Sequence, residues 1–148
     1  MEISDWILLA ENDPDDAFLI KRILEQACPG YEVVTVEDGC AALRCLHGEG
    51  DFADRFSGPP AVIILDHAMP GQTGLTVLKN IREGDDLNWI PVVMCSGMMT
   101  KTQVQEAYRL GANAYVEKPC DFEQLSRVFQ QLGMFWTESN VIPSRCGG

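Results

Sequence analysis

The sequence predicts an α/β domain built on a parallel sheet, and three observations carry that prediction. Five short apolar runs alternate with five segments whose apolar residues recur at helical spacing. Alternation of this kind produces a parallel sheet covered by helices on both faces. The run Ala61-Val62-Ile63-Ile64-Leu65 is continuously apolar and ends at Asp66, then at the turn-forming Met69-Pro70-Gly71. That is the pattern of a fully buried strand whose carboxyl end opens onto a loop.

The elements follow in order. Trp6 to Ala10 is the first strand. Pro14 to Cys28 is a helix with Ala17, Ile20, Leu24 and Ala27 on one face, started by Asp13 or Pro14 and stopped by Pro29-Gly30. Val33 to Val36 is β-branched and strand-like. Asp38 to His47 reads as a helix with Ala41, Ala42, Cys45 and Leu46 inward. The connection from 48 to 60 contains Gly and Pro and is long for a compact domain. After the strand ending at Asp66, Thr73 to Arg82 is a helix with Leu75, Leu78 and Ile81 inward. Ile90 to Cys95 is a strand whose Pro91 sits near its start, where a missing donor is tolerated. Thr100 to Leu110 is a helix ended by Gly111, and Ala112 to Val116 a short strand. Asp121 to Leu132 is a helix with Leu125, Val128, Phe129 and Leu132 at i, i+3, i+4 and i+7.

Composition narrows the function. The chain has 148 residues, the size of one domain, and 46% hydrophobic residues, enough for a core. Twenty-two acidic against 11 basic side chains give a formal charge of −11, which argues against nucleic-acid or anionic-membrane binding. The start lacks the basic and apolar regions of a signal peptide. No apolar run approaches the roughly 18 residues of a membrane span. The six cysteines form no Cys-x-x-Cys pair and read as reduced thiols, in part small hydrophobes. A cytoplasmic protein is expected.

The strand ends carry the chemistry. The first ends in Glu11-Asn12-Asp13, the third in Asp66, the fourth in Ser96-Gly97 and the fifth in Glu117-Lys118-Pro119. In a parallel sheet these carboxyl ends share one edge, where open α/β sheets bind ligands. Clustered carboxylates repel and call for a cation, and an all-oxygen donor set suits Mg²⁺. Lys118 offers a point positive charge and Ser96 a hydroxyl for a phosphoryl oxygen. The set suits phosphoryl transfer onto a carboxylate.

This constellation resembles the receiver domain of two-component response regulators, over residues 5 to 135. The motifs are Glu11-Asn12, Asp66 with Met69-Pro70 and Gly74, Ser96-Gly97, and Tyr115 followed by Lys118-Pro119. The resemblance implies a flavodoxin-like, doubly wound α/β/α fold with strand order 2-1-3-4-5. It implies that Asp66 is the phospho-acceptor for a sensor histidine kinase. Mg²⁺ would be held by Asn12, Asp66 and the Ala68 carbonyl, and by Glu11 through water. Ser96 and Tyr115 would be a switch pair and Lys118 a phosphoryl contact. The peptide before Pro119 is usually cis in the family.

The tail, Phe135-Trp136 followed by Val141-Ile142-Pro143, is similar to those of stand-alone receivers that serve phytochromes. Residues 1–136 are then the receiver and 137–148 a tail. With no output domain expected, the output is a protein contact. It is a downstream target, a phosphotransfer protein or a homodimer, reached through residues 100 to 132 or the Trp136 tail. Beyond self-catalysed phosphotransfer and slow autodephosphorylation, no enzyme activity is expected.

One position departs from the family pattern, and two others bear on the lifetime of the phosphoryl group. Asn12 replaces the second acid of the first strand end, which predicts weaker Mg²⁺ binding. Ala68 and Met98 occupy the two positions that tune hydrolysis. Neither orients a water, and Met98 is expected to cover the approach. Rival readings are a phosphorylation-independent docking module, favoured by Asn12, and a small Mg²⁺ phosphatase, disfavoured by Ala68. Flavin binding lacks a phosphate loop. Local readings assign Asp13, Asp15 and Asp16 to the positive end of the first helix and Glu37-Asp38 to a helix start. They make His67 a loop residue and Phe135-Trp136 a buried helix end.

Overall fold

The computed structural model describes residues 5–143. Five parallel strands, β1 (Trp6–Ala10), β2 (Glu32–Val36), β3 (Ile63–Asp66), β4 (Val92–Ser96) and β5 (Ala114–Glu117), form one sheet in the order β2-β1-β3-β4-β5. The helices are α1 (Pro14–Ala27), α2 (Gly39–Leu46), α3 (Gly74–Glu83), α4 (Lys101–Arg109) and α5 (Phe122–Met134). The expected α/β/α layering and strand order are both present.

Every residue of β1, β3 and β4 is buried, which explains why their sequences are apolar without alternation. Successive side chains go to opposite faces. Leu8, Ile63, Leu65, Val92 and Met94 face the core under α2, α3 and α4. Ile7, Leu9, Ile64, Val93 and Cys95 face α1 and α5. The edge strands β2 and β5 are only partly buried.

Caps set the helix starts. Asp13 accepts from the Asp15 and Asp16 N–H groups, and Asp38 accepts from Ala41. Thr100 and Gln103 form a capping box on α4. The connection from 48 to 60 is packed: Phe56 stacks on Trp6 with ring centroids 3.8 Å apart, and Arg55 pairs with Glu32 at 2.6 Å.

Some boundaries differ from the sequence reading. β4 begins at Val92, because Pro91 has no N–H to give and Ile90 turns back to donate to the Leu87 carbonyl. β5 begins at Ala114, where the chain has cleared the α4 cap. α5 runs on into a π-helical turn, Phe135–Ser139. There Phe135 is exposed and only Trp136 is half-buried, so the pair is not the buried helix end expected. The two rings meet edge to face at 4.9 Å, so Trp136, packed against the α1–α5 core, keeps Phe135 outside.

No peptide among the described residues is cis, so Lys118-Pro119 is trans, against the expectation. The trans form is the intrinsically preferred isomer even before proline. The five described cysteines are unpaired, with Cys28, Cys45 and Cys95 buried and Cys40 and Cys120 exposed; Cys146 lies outside the described residues.

Candidate phosphoryl-acceptor site

The sheet delivers its strand ends to one place. The Asp66 carboxylate is buried at the tip of the central strand β3. The chain turns there through Gly71, at φ +74. It then starts α3 at Gly74, whose N–H donates to the His67 carbonyl at 3.0 Å. A Cβ on Gly74 would collide with the Asp66 carbonyl oxygen, so only glycine lets α3 begin this close to the acid.

Glu11 lies at the tip of β1 and is 1% exposed. One of its oxygens accepts from Lys118 Nζ at 2.6 Å and the other from the Asp13 N–H at 3.2 Å. Burial, with the neighbouring Asp66 carboxylate, pushes its pKa up to about 7, and Lys118 opposes that rise only in part. Burial pulls Lys118 down. The hydrogen bond to Glu11 and the charges of Glu11 and Asp66 outweigh it, so its pKa rises and its charge persists. Lys118 is placed by the ladder, its N–H donating to the Ser96 carbonyl at 2.8 Å. Its ammonium also lies 3.2 Å from Asp16 Oδ2 and 3.8 Å from Asp66 Oδ2.

Like Ala68, Asn12 is exposed. Its amide head lies 3.0 Å from both Asp66 Oδ2 and the Ala68 carbonyl oxygen. With its nitrogen turned inward, the amide donates to both. With its oxygen inward, three oxygens converge on one point, an arrangement that repels unless a cation lies among them. Among the described residues no three His, Cys, Asp or Glu side chains form a metal cage. The donors here are instead a carboxylate, an amide and a backbone carbonyl, with Glu11 behind them. This hard oxygen set fits Mg²⁺ with several retained waters.

Ser96 is buried at the tip of β4. Its hydroxyl donates to the Met98 carbonyl at 2.7 Å and accepts from the Met98 N–H at 3.2 Å, so it folds back on its own loop. The Met98 side chain is 87% exposed. It does not cover Asp66, against the expectation, because the Ser96–Met98 turn holds the backbone and sends the side chain outward.

The structure thus gathers Glu11, Asn12, Asp66, Ala68, Ser96 and Lys118 at one edge. Tyr115, on β5, reaches the same edge by a different contact: its Oη lies 3.0 Å from His67 Nδ1. Two residues near the site were not foreseen. Asp16 supports the start of α1 and also pairs with Lys118; its place in the first turn after Pro14 was the available signal. His67 is a partner of Tyr115, and no local pattern announces a bond across 48 positions.

With that geometry in place, similarity to known proteins decides the family. The sequence pattern described as "Response regulator receiver domain" matches residues 7–130. The chain belongs to this family. Response regulator Rcp1 of Synechocystis sp. is 30% identical to this receiver over 138 residues, 93% of this chain and 92% of Rcp1. A crystal structure of Rcp1 in its Mn²⁺-bound form superposes on this receiver with a TM-score of 0.85 at 30% identity, over 93% of this chain and 98% of that one. The phosphorylated cyanobacterial phytochrome response regulator RcpA gives a TM-score of 0.87 at 31% identity, over 95% and 99%. The bacteriophytochrome response regulator RtBRR is 41% identical, with a TM-score of 0.73 over 95% and 82%. This receiver therefore has phytochrome response regulators among its relatives. No helix of its described residues is long and apolar enough to cross a membrane.

Proposed function

We propose that this receiver accepts a phosphoryl group on Asp66 from a sensor histidine kinase, with Mg²⁺ bound. The observation that carries this reading is the convergence of the Asn12 amide, Asp66 Oδ2 and the Ala68 carbonyl beside the Glu11–Lys118 pair. An Asp66 oxygen attacks the phosphorus of a phosphohistidine and the P–N bond breaks. The electron pair stays on the imidazole nitrogen, and the product is an acyl phosphate. Lys118 balances charge on the phosphoryl oxygens, and Ser96 swings from Met98 to donate to one of them. Bound Mg²⁺ would neutralise charge shared by the acceptor and phosphoryl oxygens, held by Asn12, Asp66 and Ala68 directly and by Glu11 through water.

The phytochrome response regulators among the relatives support a phytochrome-type kinase as donor. The protein acts as a phospho-acceptor, not as a turnover enzyme. Ala68, two residues past Asp66, offers no general acid for one. Its output is a protein contact made by the α4–β5–α5 face. Next to that face, between β5 and α5 on the side of the sheet that α1 and α5 cover, a groove of about 530 Å³ is lined by Val93, Val116, Val128, Leu132 and Trp136, and Met134 and Phe135 are exposed beside it. A downstream protein, a phosphotransfer protein or a second copy of the chain would bind that face.

Intact mass after incubation with acetyl phosphate and Mg²⁺ tests the acceptor. One phosphoryl adduct is expected in wild type, and none in Asp66→Ala or without Mg²⁺. No adduct in wild type would favour the phosphorylation-independent docking module. Sedimentation and partner binding that stay unchanged on beryllofluoride addition would count against the output reading.

A further inference from the structure

The Tyr115 phenol has a partner that phosphoryl chemistry does not require. Its Oη lies 3.0 Å from His67 Nδ1, the distance of a full hydrogen bond, with the two rings tilted by 50°. His67 directly follows Asp66, and its backbone is held on both sides. Its N–H donates to the Cys95 carbonyl at 2.8 Å, and its carbonyl accepts from Gly74 at 3.0 Å. The imidazole is therefore carried by the strand tip that carries the acceptor.

Burial raises the Tyr115 pKa, and Ser96 also acts on the phenol through a side-chain hydrogen bond that lowers it in part. The Ser96 hydroxyl proton itself goes to the Met98 carbonyl at 2.7 Å, so the well-aligned partner of the phenol is His67. Packing holds the Tyr115 ring on the α2–α3–α4 side of the sheet. Packing alone would serve a phenylalanine equally well. The hydrogen bond adds direction, and it comes from His67.

We infer that His67 is a positioning residue for Tyr115: its imidazole holds the phenol beside Ser96 before any phosphoryl group arrives. The inference rests on the reading of Asp66 as acceptor only where it concerns the response to phosphorylation. The resting arrangement stands by itself. Tyr115 is then preset, and phosphorylation has mainly Ser96 and its loop left to move. Without His67, Tyr115 keeps only its packing and its weaker contact with Ser96 at rest, and settles fully only when the acceptor is occupied.

The test uses the full chain labelled with ¹³Cζ-tyrosine. Of the three signals, from Tyr31, Tyr108 and Tyr115, the last is assigned by its absence in Tyr115→Phe. At rest, His67→Phe is expected to shift the Tyr115 signal, and His67→Gln, which keeps a hydrogen-bonding group, to recover a large part of that shift. On addition of Mg²⁺ and beryllofluoride, the wild-type Tyr115 signal should move less than half as far as the His67→Phe signal. Read from the other side, Tyr115→Phe should change the ¹⁵N imidazole signals of His67 and leave those of His47 alone.

A Tyr115 signal unmoved by His67→Phe at rest, with His67 nitrogens unmoved by Tyr115→Phe, would overturn the inference. Equal beryllofluoride shifts in wild type and His67→Phe would overturn the claim that Tyr115 is preset. Failure of beryllofluoride to bind, with the resting coupling intact, would sink the acceptor reading and leave the His67–Tyr115 pairing standing.

Discussion

Lys118 Nζ lies 2.6 Å from Glu11 Oε1 but 3.8 Å from Asp66 Oδ2. The lysine is bound more closely to the buried acid behind the site than to the acceptor. Asp16, at 3.2 Å, draws it the same way. The acceptor carboxylate faces the Asn12 amide and the Ala68 carbonyl, where a cation and a phosphoryl group would come together.

Glu11 makes the site sensitive to pH. Its pKa is raised by burial from 4.5 to about 7. Between those values the unfolded chain has lost the proton and the folded one keeps it, so the folded state binds more protons. The Glu11 contribution to metal-free stability is therefore present below 4.5 and lost as pH rises to about 7. Divalent binding requires the carboxylate and releases the proton. Calorimetry should show Mg²⁺ affinity climbing between about pH 6 and 8 in wild type, and a flatter profile in Glu11→Gln. Affinity independent of pH would contradict this.

Asn12 gives the cation an amide oxygen where a second carboxylate would carry full charge. Asn12→Asp should tighten Mg²⁺ binding by about tenfold, or roughly 1.4 kcal/mol. The same change should lower thermal stability without metal, since a third acid then faces Asp66 and Glu11. Titration of both proteins checks it, and equal affinities would refute it.

The phosphoaspartate should be long-lived. Ala68 has only a methyl group, and the exposed Met98 cannot orient a water. Met98→Asn supplies an amide that can orient a water once the Ser96–Met98 turn opens as Ser96 moves to the phosphoryl group, and should hydrolyse several-fold faster than wild type. Loss of label from phosphorylated protein measures it, and faster decay in wild type would count against the account.

Gly74→Ala should be costly in two ways. The new Cβ meets the Asp66 carbonyl and lies 2.8 Å from Met94 Cε, so β3 and α3 must part. Overpacking of this kind costs about 1–3 kcal/mol. A lower denaturant midpoint is expected, together with slower phosphorylation by acetyl phosphate as Asp66 moves. A normal rate in a destabilised protein would separate the fold role from the site role.

Arg82 shows where sequence reading stops. It appeared only as the end of a helix. Its guanidinium donates to the Gly111, Asn88 and Ile90 carbonyls and to Asn113 Oδ1 at 2.7 to 3.0 Å, tying the end of α3 to the loops around β4 and β5. These partners lie 6 to 31 positions away, and no spacing rule joins them. The same is true of His67 with Tyr115 and of Asp16 with Lys118.

The sequence by itself determined the alternation of strands and helices, the order of chemistry along the strand ends, and helix starts at Asp13, Asp38 and Thr100. These are local properties: buried strands must be apolar throughout, and a cap lies within three residues of the N–H groups that donate to it. Parallel pairing then brings the carboxyl ends to one edge, so Glu11, Asp66, Ser96 and Lys118 were legible as a group. Only the tertiary structure decided which side chains pair there. It gave Lys118 to Glu11, folded Ser96 onto Met98, turned the Met98 side chain into solvent and joined Tyr115 to His67. Those outcomes depend on the distances between packed elements and on which way each loop leaves its strand, and neither quantity is written in residue identity.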